Sequence, residues 1–222
     1  MACNIMKKNC DVKPDEKVRG RDVKIVVVGD PKCGKTRFIE AFAEREGNKS
    51  GSSYEIEYAR VYQCRYEIKT VLMYGIQIES RDVKIFEILG GPDYLADLLT
   101  KEQFNANGIV FMYAINDLSS FQMLTDKWCK GLTDNGCWKL QPTILVGNKR
   151  DLREDQQVIQ RLARDNQALV TEEEGNGIKV SNSINEFYEC SSLDENDNNI
   201  HIAFDFIISE GHFHWQRNEN EL

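Results

Sequence analysis

The chain has 222 residues, 41% of them hydrophobic and 29% charged, which suits a single folded α/β domain and is short for two. Its net charge of −8 argues against the basic face of a nucleic-acid binder. No apolar run approaches the ~18 residues of a membrane span, and the opening MACNIMKKNC lacks the hydrophobic stretch of a secretory signal.

Residues 1–22 are polar and aperiodic, with Lys7, Lys8, Lys13, Lys17, Arg19 and Arg21, and read as a flexible arm. The β-branched run Val23–Gly29 then predicts a buried parallel strand ending on glycine. Lys35–Glu46 predicts a helix, with apolar residues at 38, 39, 42 and 43 on one face. Gly47–Ser53 is a loop by composition, and strands are predicted over Glu67–Tyr74 and Asp82–Ile88, the second stopped by Gly90-Gly91-Pro92.

A helix is expected around Tyr94–Phe104, a strand over Gly108–Ile115 and a helix from Ser119 to about Leu132. Pro142–Asn148 is another apolar strand. Acidic helical material follows at 154–167, then a helix near Ile178–Ile184, a short strand Phe187–Cys190 and a last helix from Ile200 to about Ser209. Residues 210–222 read as a mobile tail whose His212 and His214 are solvated. Strands alternating with helices imply a mostly parallel sheet covered on both faces.

Two motifs carry chemistry. Gly29-Asp30-Pro31-Lys32-Cys33-Gly34-Lys35-Thr36 fits G-x-x-x-x-G-K-[ST] between a strand and a helix. Glycines let backbone N–H groups turn toward phosphate oxygens, and the helix N-terminus adds positive potential. Lys35 would reach the terminal phosphates and the Thr36 hydroxyl a bound Mg²⁺. Downstream, Asn148-Lys149-Arg150-Asp151 follows a strand. A carboxylate at Asp151 suits guanine, whose N1–H and 2-amino group both donate, as adenine's edge does not. Tyr188-Glu189-Cys190-Ser191-Ser192 would add backbone and hydroxyl contacts to the base.

These motifs in this order resemble the Ras-like small GTPases, and more narrowly the Rho family, over roughly Val23 to Ser209. SSFQMLTDKW (Ser119–Trp128) is similar to the third-helix segment of that family, and LVGNKRDLRED leading to VTEEEG resembles the Rho insert, here near 154–167. The resemblance implies a three-layer P-loop NTPase domain with a six-stranded, mostly parallel sheet. It implies GTP or GDP with Mg²⁺ as cofactors, metal contacts from Thr36 and Glu87, and further nucleotide contacts from Arg37, Tyr54, Gly90 and Leu152. Effectors and regulators would meet segments 54–66 and 90–99, with actin or cell-polarity signalling as the setting.

The departures bear on turnover. The family's D-x-x-G stands here as Glu87-Ile88-Leu89-Gly90, and its water-orienting glutamine falls on Gly91, which leaves no catalytic side chain at that position. Val61 stands where the family's phosphate-sensing threonine would be, Pro31 replaces a loop glycine, and Leu193 replaces a frequent lysine. Rnd-like atypical Rho proteins resemble this pattern. The expected function is a GTP-loaded signalling protein with weak or absent hydrolysis. The alternatives are a pseudo-GTPase interaction module with little or no nucleotide, and an ordinary cycling GTPase.

Seven scattered cysteines, at 3, 10, 33, 64, 129, 137 and 190 and without a C-x-x-C pair, suit a reducing cytoplasm. With no cysteine after Cys190, no C-terminal prenylation box is expected. Cys3 and Cys10 beside Lys7 and Lys8 make the arm a candidate weak membrane contact, although an ordinary disordered arm is the simpler reading.

Overall fold

The computed structural model describes residues 22–46, 53–56, 59–72, 75–89, 106–130 and 141–220. The elements in chain order are β1 (Val23–Gly29), α1 (Lys35–Arg45), β2 (Ser53–Ile56), β3 (Ala59–Leu72), β4 (Gly75–Ile88) and β5 (Gly108–Ala114). Then come α2 (Leu118–Met123), running on into a π-helical stretch Leu124–Cys129, β6 (Thr143–Asn148) and a 3₁₀ turn Arg150–Arg153. The chain closes with α3 (Gln156–Arg164), α4 (Glu172–Ser181), β7 (Glu186–Cys190) and α5 (Asn199–Asn220).

The strands form one sheet in the order β2-β3-β4-β1-β5-β6-β7. Neighbours from β4 through β7 pair in parallel, while β2/β3 and β3/β4 are antiparallel. The side chains of β1 alternate between two apolar layers, as a strand buried on both faces requires. Ile25 and Val27 pack with Phe38, Phe42, Phe204 and Ile207 of α1 and α5. Val26 and Val28 pack on the other face with Phe111, Trp128, Leu145 and Ile178. Helices therefore cover both faces, as the alternating pattern predicts.

Helix starts follow local chemistry. Asp117 accepts from the Ser119 and Ser120 amides at the head of α2, and Asp155 does the same for Gln157 and Val158 in α3. Thr171 and Glu174 make a reciprocal capping box, which starts α4 at Glu172, ahead of the helix expected near Ile178–Ile184.

Three expectations are corrected. Among the described residues the sheet has seven strands instead of six, because Ser53–Ile56 adds an edge strand. The strand expected at Glu67–Tyr74 starts at Ala59, and its partner starts at Gly75, so the pair forms a 14-on-14 residue hairpin. The last helix does not stop near Ser209 but continues to Asn220, so 210–220 is helical and not a mobile tail. Gly211 and His212 are buried in that extension, and His212 lies 3.3 Å from Glu79 of β4. Burial pushes the His212 imidazole below its ordinary pKa. The N-terminal arm, most of the 47–53 loop, the helix expected at 94–104 and the end of the one expected to reach Leu132 lie outside the described residues.

A stack of aromatic rings joins α1 to α5. The Phe204 ring lies 4.9 Å from Phe38 and 4.0 Å from Phe42, centroid to centroid, and all three side chains are fully buried. Phe204→Ala is expected to cost about 3–5 kcal/mol in a denaturant titration; a loss below about 1 kcal/mol would mean that this stack is not where the two helices are held.

Candidate nucleotide site

At the C-terminal end of β1 the chain makes a tight loop before α1. Two glycines are needed there for steric reasons. Gly29 has φ +150°, and a Cβ on it would meet the Met112 carbonyl oxygen at 2.2 Å. Gly34 has φ +99°, and a Cβ there would meet the Asn148 amide nitrogen at 2.3 Å. Lys32 between them is also left-handed, at φ 69°. The Lys35 ammonium is folded into the loop, donating to the Gly29 carbonyl at 2.7 Å and the Asp30 carbonyl at 3.1 Å. It is thus poised on the inner side of the turn, where a phosphate would compete for its protons. Burial raises the pKa of the Cys33 thiol, so it stays protonated and packs as an apolar group.

The second loop reaches the first through one side chain. Asn148 is 2% exposed; its Nδ2 donates to the Cys33 carbonyl at 2.9 Å. Its Oδ1 accepts from the Lys149 amide at 2.8 Å, the Ser192 amide at 3.2 Å and the Ser192 hydroxyl at 2.9 Å. Lys149 takes φ 69°, which turns the chain out of β6. Beyond it the Asp151 carboxylate is exposed and accepts from the Ser191 hydroxyl at 2.5 Å. The Ser191 amide donates to Asp197, itself buried and paired with Arg150 at 3.1 Å. Behind this loop Arg153 pairs with the buried Glu189 and donates to the Val170 carbonyl, tying β7 to the segments on either side of α3.

The structure thus gathers Gly29, Asp30, Pro31, Lys32, Cys33, Gly34, Lys35 and Thr36 on one side, and Asn148, Lys149, Asp151, Cys190, Ser191 and Ser192 on the other. Arg37 points along α1 to Glu44 at 3.0 Å, and Leu152 lies in the 3₁₀ turn. Tyr54 lies on the edge strand β2, three strands away from β1. Val61 is inside β3 and fully buried among Ala59, Phe86 and Ile88, so it lies in the core and not in a loop over the phosphate turn. Gly90, Gly91 and segment 90–99 fall outside the described residues.

Sequence reading missed two groups. Trp128 is fully buried in the π-helical stretch, and its indole N–H donates to Asp30 at 3.1 Å, holding the loop from the far side of the sheet. The second group surrounds Glu87. Its carboxylate is 3% exposed; it accepts from the Thr36 hydroxyl at 2.5 Å and the Tyr62 hydroxyl at 3.0 Å, with the Arg60 guanidinium at 3.6 Å. Burial, with Glu87 adding to it, pushes the Tyr62 phenol up to about 12, so the hydroxyl remains a donor. Only the strand register could have found these partners, because Arg60 lies directly opposite Glu87 across the β3/β4 pair.

Whether a divalent cation fits beside Thr36 follows from this donor set. Mg²⁺ needs near-octahedral oxygen ligands, usually one or two carboxylates together with phosphates and water. Here both oxygens of Glu87 are engaged, and a fixed positive charge already balances the carboxylate. Those residues do not fit a magnesium ligand set of the expected kind.

Comparison with known proteins agrees with this architecture. The sequence model of the Ras family matches residues 24–212. The chain is 28% identical to human Rho-related GTP-binding protein RhoD over 205 residues, covering 89% of each chain. It is also 28% identical to GTP-binding protein RHO1 of Saccharomyces cerevisiae, over 76% of this chain and 74% of that one. With human RhoB it again shares 28% identity, over 76% of this chain and 79% of RhoB.

Asn148→Ala removes the bridge and leaves the Cys33 carbonyl and the Ser192 donors buried without it. It is expected to cost about 1–3 kcal/mol and to speed hydrogen exchange at the Lys149 and Ser192 amides. Unchanged exchange at both amides would show that the loops hold their shape independently.

Proposed function

The chain belongs to the Ras family, and we propose that it is a Rho-type guanine-nucleotide-binding signalling protein that holds GTP and cleaves it slowly or not at all. The observation that carries this is the Asn148 bridge. It sets a phosphate loop with its lysine in place against a second loop whose Asp151 carboxylate is exposed and already oriented by Ser191. A carboxylate held at such a rim can accept both donors of a guanine edge, and charged hydrogen bonds of this kind are the strong ones.

Slow cleavage is inferred from what the chain does not supply. Gly91 has no side chain to orient a water, Val61 faces the core, and Pro31 occupies the loop where a glycine would leave room. Positioning of that water and stabilisation of the transferring phosphoryl group make up most of phosphoryl-transfer catalysis. The protein would then act by presenting a lasting GTP-bound surface to effectors through 54–66 and 90–99. Its control would come from abundance, location or exchange, and by resemblance it would work on actin or cell polarity.

In this reading residues 23–209 are the nucleotide domain, α3 is the insert, and α5 extends the domain's last helix. A cytoplasmic protein with a weak contact through residues 1–22 suits the same picture. The engaged state of Glu87 favours one rival, an interaction module holding no nucleotide.

Denaturing the purified protein and separating what it releases by chromatography distinguishes these readings. GTP is the expected product; an empty site would support the interaction module, and GDP an ordinary cycling GTPase. Asp151→Asn is expected to weaken guanine-nucleotide binding by about 1.5–3 kcal/mol, roughly 10- to 150-fold, in a competition titration. Unchanged affinity would overturn the assignment of the base pocket.

A further inference from the structure

We infer that the Arg60 guanidinium stands in for a divalent cation opposite Glu87, so that this chain's hold on a guanine nucleotide does not depend on Mg²⁺. The inference rests on the nucleotide-binding reading above and adds how that site is balanced. It starts from the sheet register. Glu55 of β2 is paired with Arg60 of β3, and Arg60 is paired with Glu87 of β4, so three charges of alternating sign form one row across three strands.

Side-chain geometry follows that row. Arg60 donates to Glu55 at 2.7 Å on its outer side and lies 3.6 Å from Glu87 on its inner side. Glu55 is mostly exposed and Glu87 almost fully buried, so the guanidinium spans from solvent to the interior. The hydrogen bond to Glu55 comes first among the causes that raise its pKa, with Glu87 contributing, so the positive charge is permanent.

A buried carboxylate needs both charge compensation and satisfied lone pairs. In Glu87 the guanidinium supplies the first, and the Thr36 and Tyr62 hydroxyls supply the second. A divalent cation placed beside Thr36 would be repelled by Arg60 and would meet a carboxylate already hydrogen-bonded at both oxygens. It would have to displace a covalently tethered charge that is already there. The guanidinium thus holds the charge-balancing place beside Glu87 that a metal would otherwise take. Arg60 is in this sense a positioning residue: it acts through Glu87 and Thr36.

Release of a fluorescent guanosine diphosphate into excess unlabelled nucleotide, in millimolar Mg²⁺ and in chelator, tests this on the full chain. Coupling between two ligands is commonly about 5- to 150-fold. The chelator is expected to change release from the unaltered protein by less than about 5-fold, and release from Arg60→Gln by an amount within that 5- to 150-fold range, with Arg60→Lys behaving like the parent. Strong acceleration by chelator in the unaltered protein would overturn the inference.

Thermal melting with Mg²⁺ alone is read in parallel. Arg60→Gln is expected to melt lower and to recover in part with Mg²⁺, while the unaltered protein and Arg60→Lys do not respond. A lowered melting point that Mg²⁺ does not restore would mark Arg60 as merely structural and overturn the inference as well. If no variant binds guanine nucleotide, the function proposed above fails, and the melting series still decides the role of Arg60.

Discussion

One buried amide holds the site together. Asn148 sits at the end of β6, 2% exposed, and spends its donor on the phosphate loop and its acceptor on the loop after β7. These two loops are more than a hundred residues apart in sequence, and their parent strands β1 and β7 are separated in the sheet by β5 and β6. The sheet brings the strand ends to one edge, as parallel α/β sheets do. The amide then converts proximity into fixed geometry, because a buried amide with a missing partner is costly. Gly34 is the complement of this arrangement, since any side chain at that position would occupy the space of the Asn148 amide.

Much of this could be read in the chain because it is local. A β-branched run ending on glycine and followed by a glycine-lysine-threonine turn states both a strand end and a phosphate loop, and β1, α1, β5, β6 and β7 fall close to where periodicity puts them. The failures are of another kind. Gln63 to Lys69 alternates polar and apolar residues as a strand should, but the strand begins earlier, at Ala59, because its first residues are held by pairing with β2 and β4. Pairing of that kind has no local signature. The extension of α5 was hidden by Gly211, a poor helix former on its own. In the fold its lack of a side chain lets the helix approach Asn107, whose carbonyl would lie 2.9 Å from a Cβ.

The site shows the same division. Lys35, Thr36, Asn148 and Asp151 were legible as a motif with a fixed order. The surroundings of Glu87 were not, because Arg60 and Tyr62 are brought to it by strand register, and register depends on the whole hairpin. Sequence made Glu87 look like a metal ligand. The structure makes it a buried anion with its own hydroxyls and its own cation. Elements that would grip a nucleotide are therefore built from short motifs, while the elements that would set its reactivity depend on tertiary placement.

This separation of holding from cutting is the core of the account, and a single-turnover experiment addresses it most directly. The protein is loaded with GTP labelled in its γ-phosphate, and cleavage and dissociation of the label are followed together, beside human RhoB under the same conditions. The account predicts that the label leaves mainly as intact GTP, with cleavage well below that of RhoB. Release of inorganic phosphate at the rate of RhoB, before the nucleotide dissociates, would contradict it.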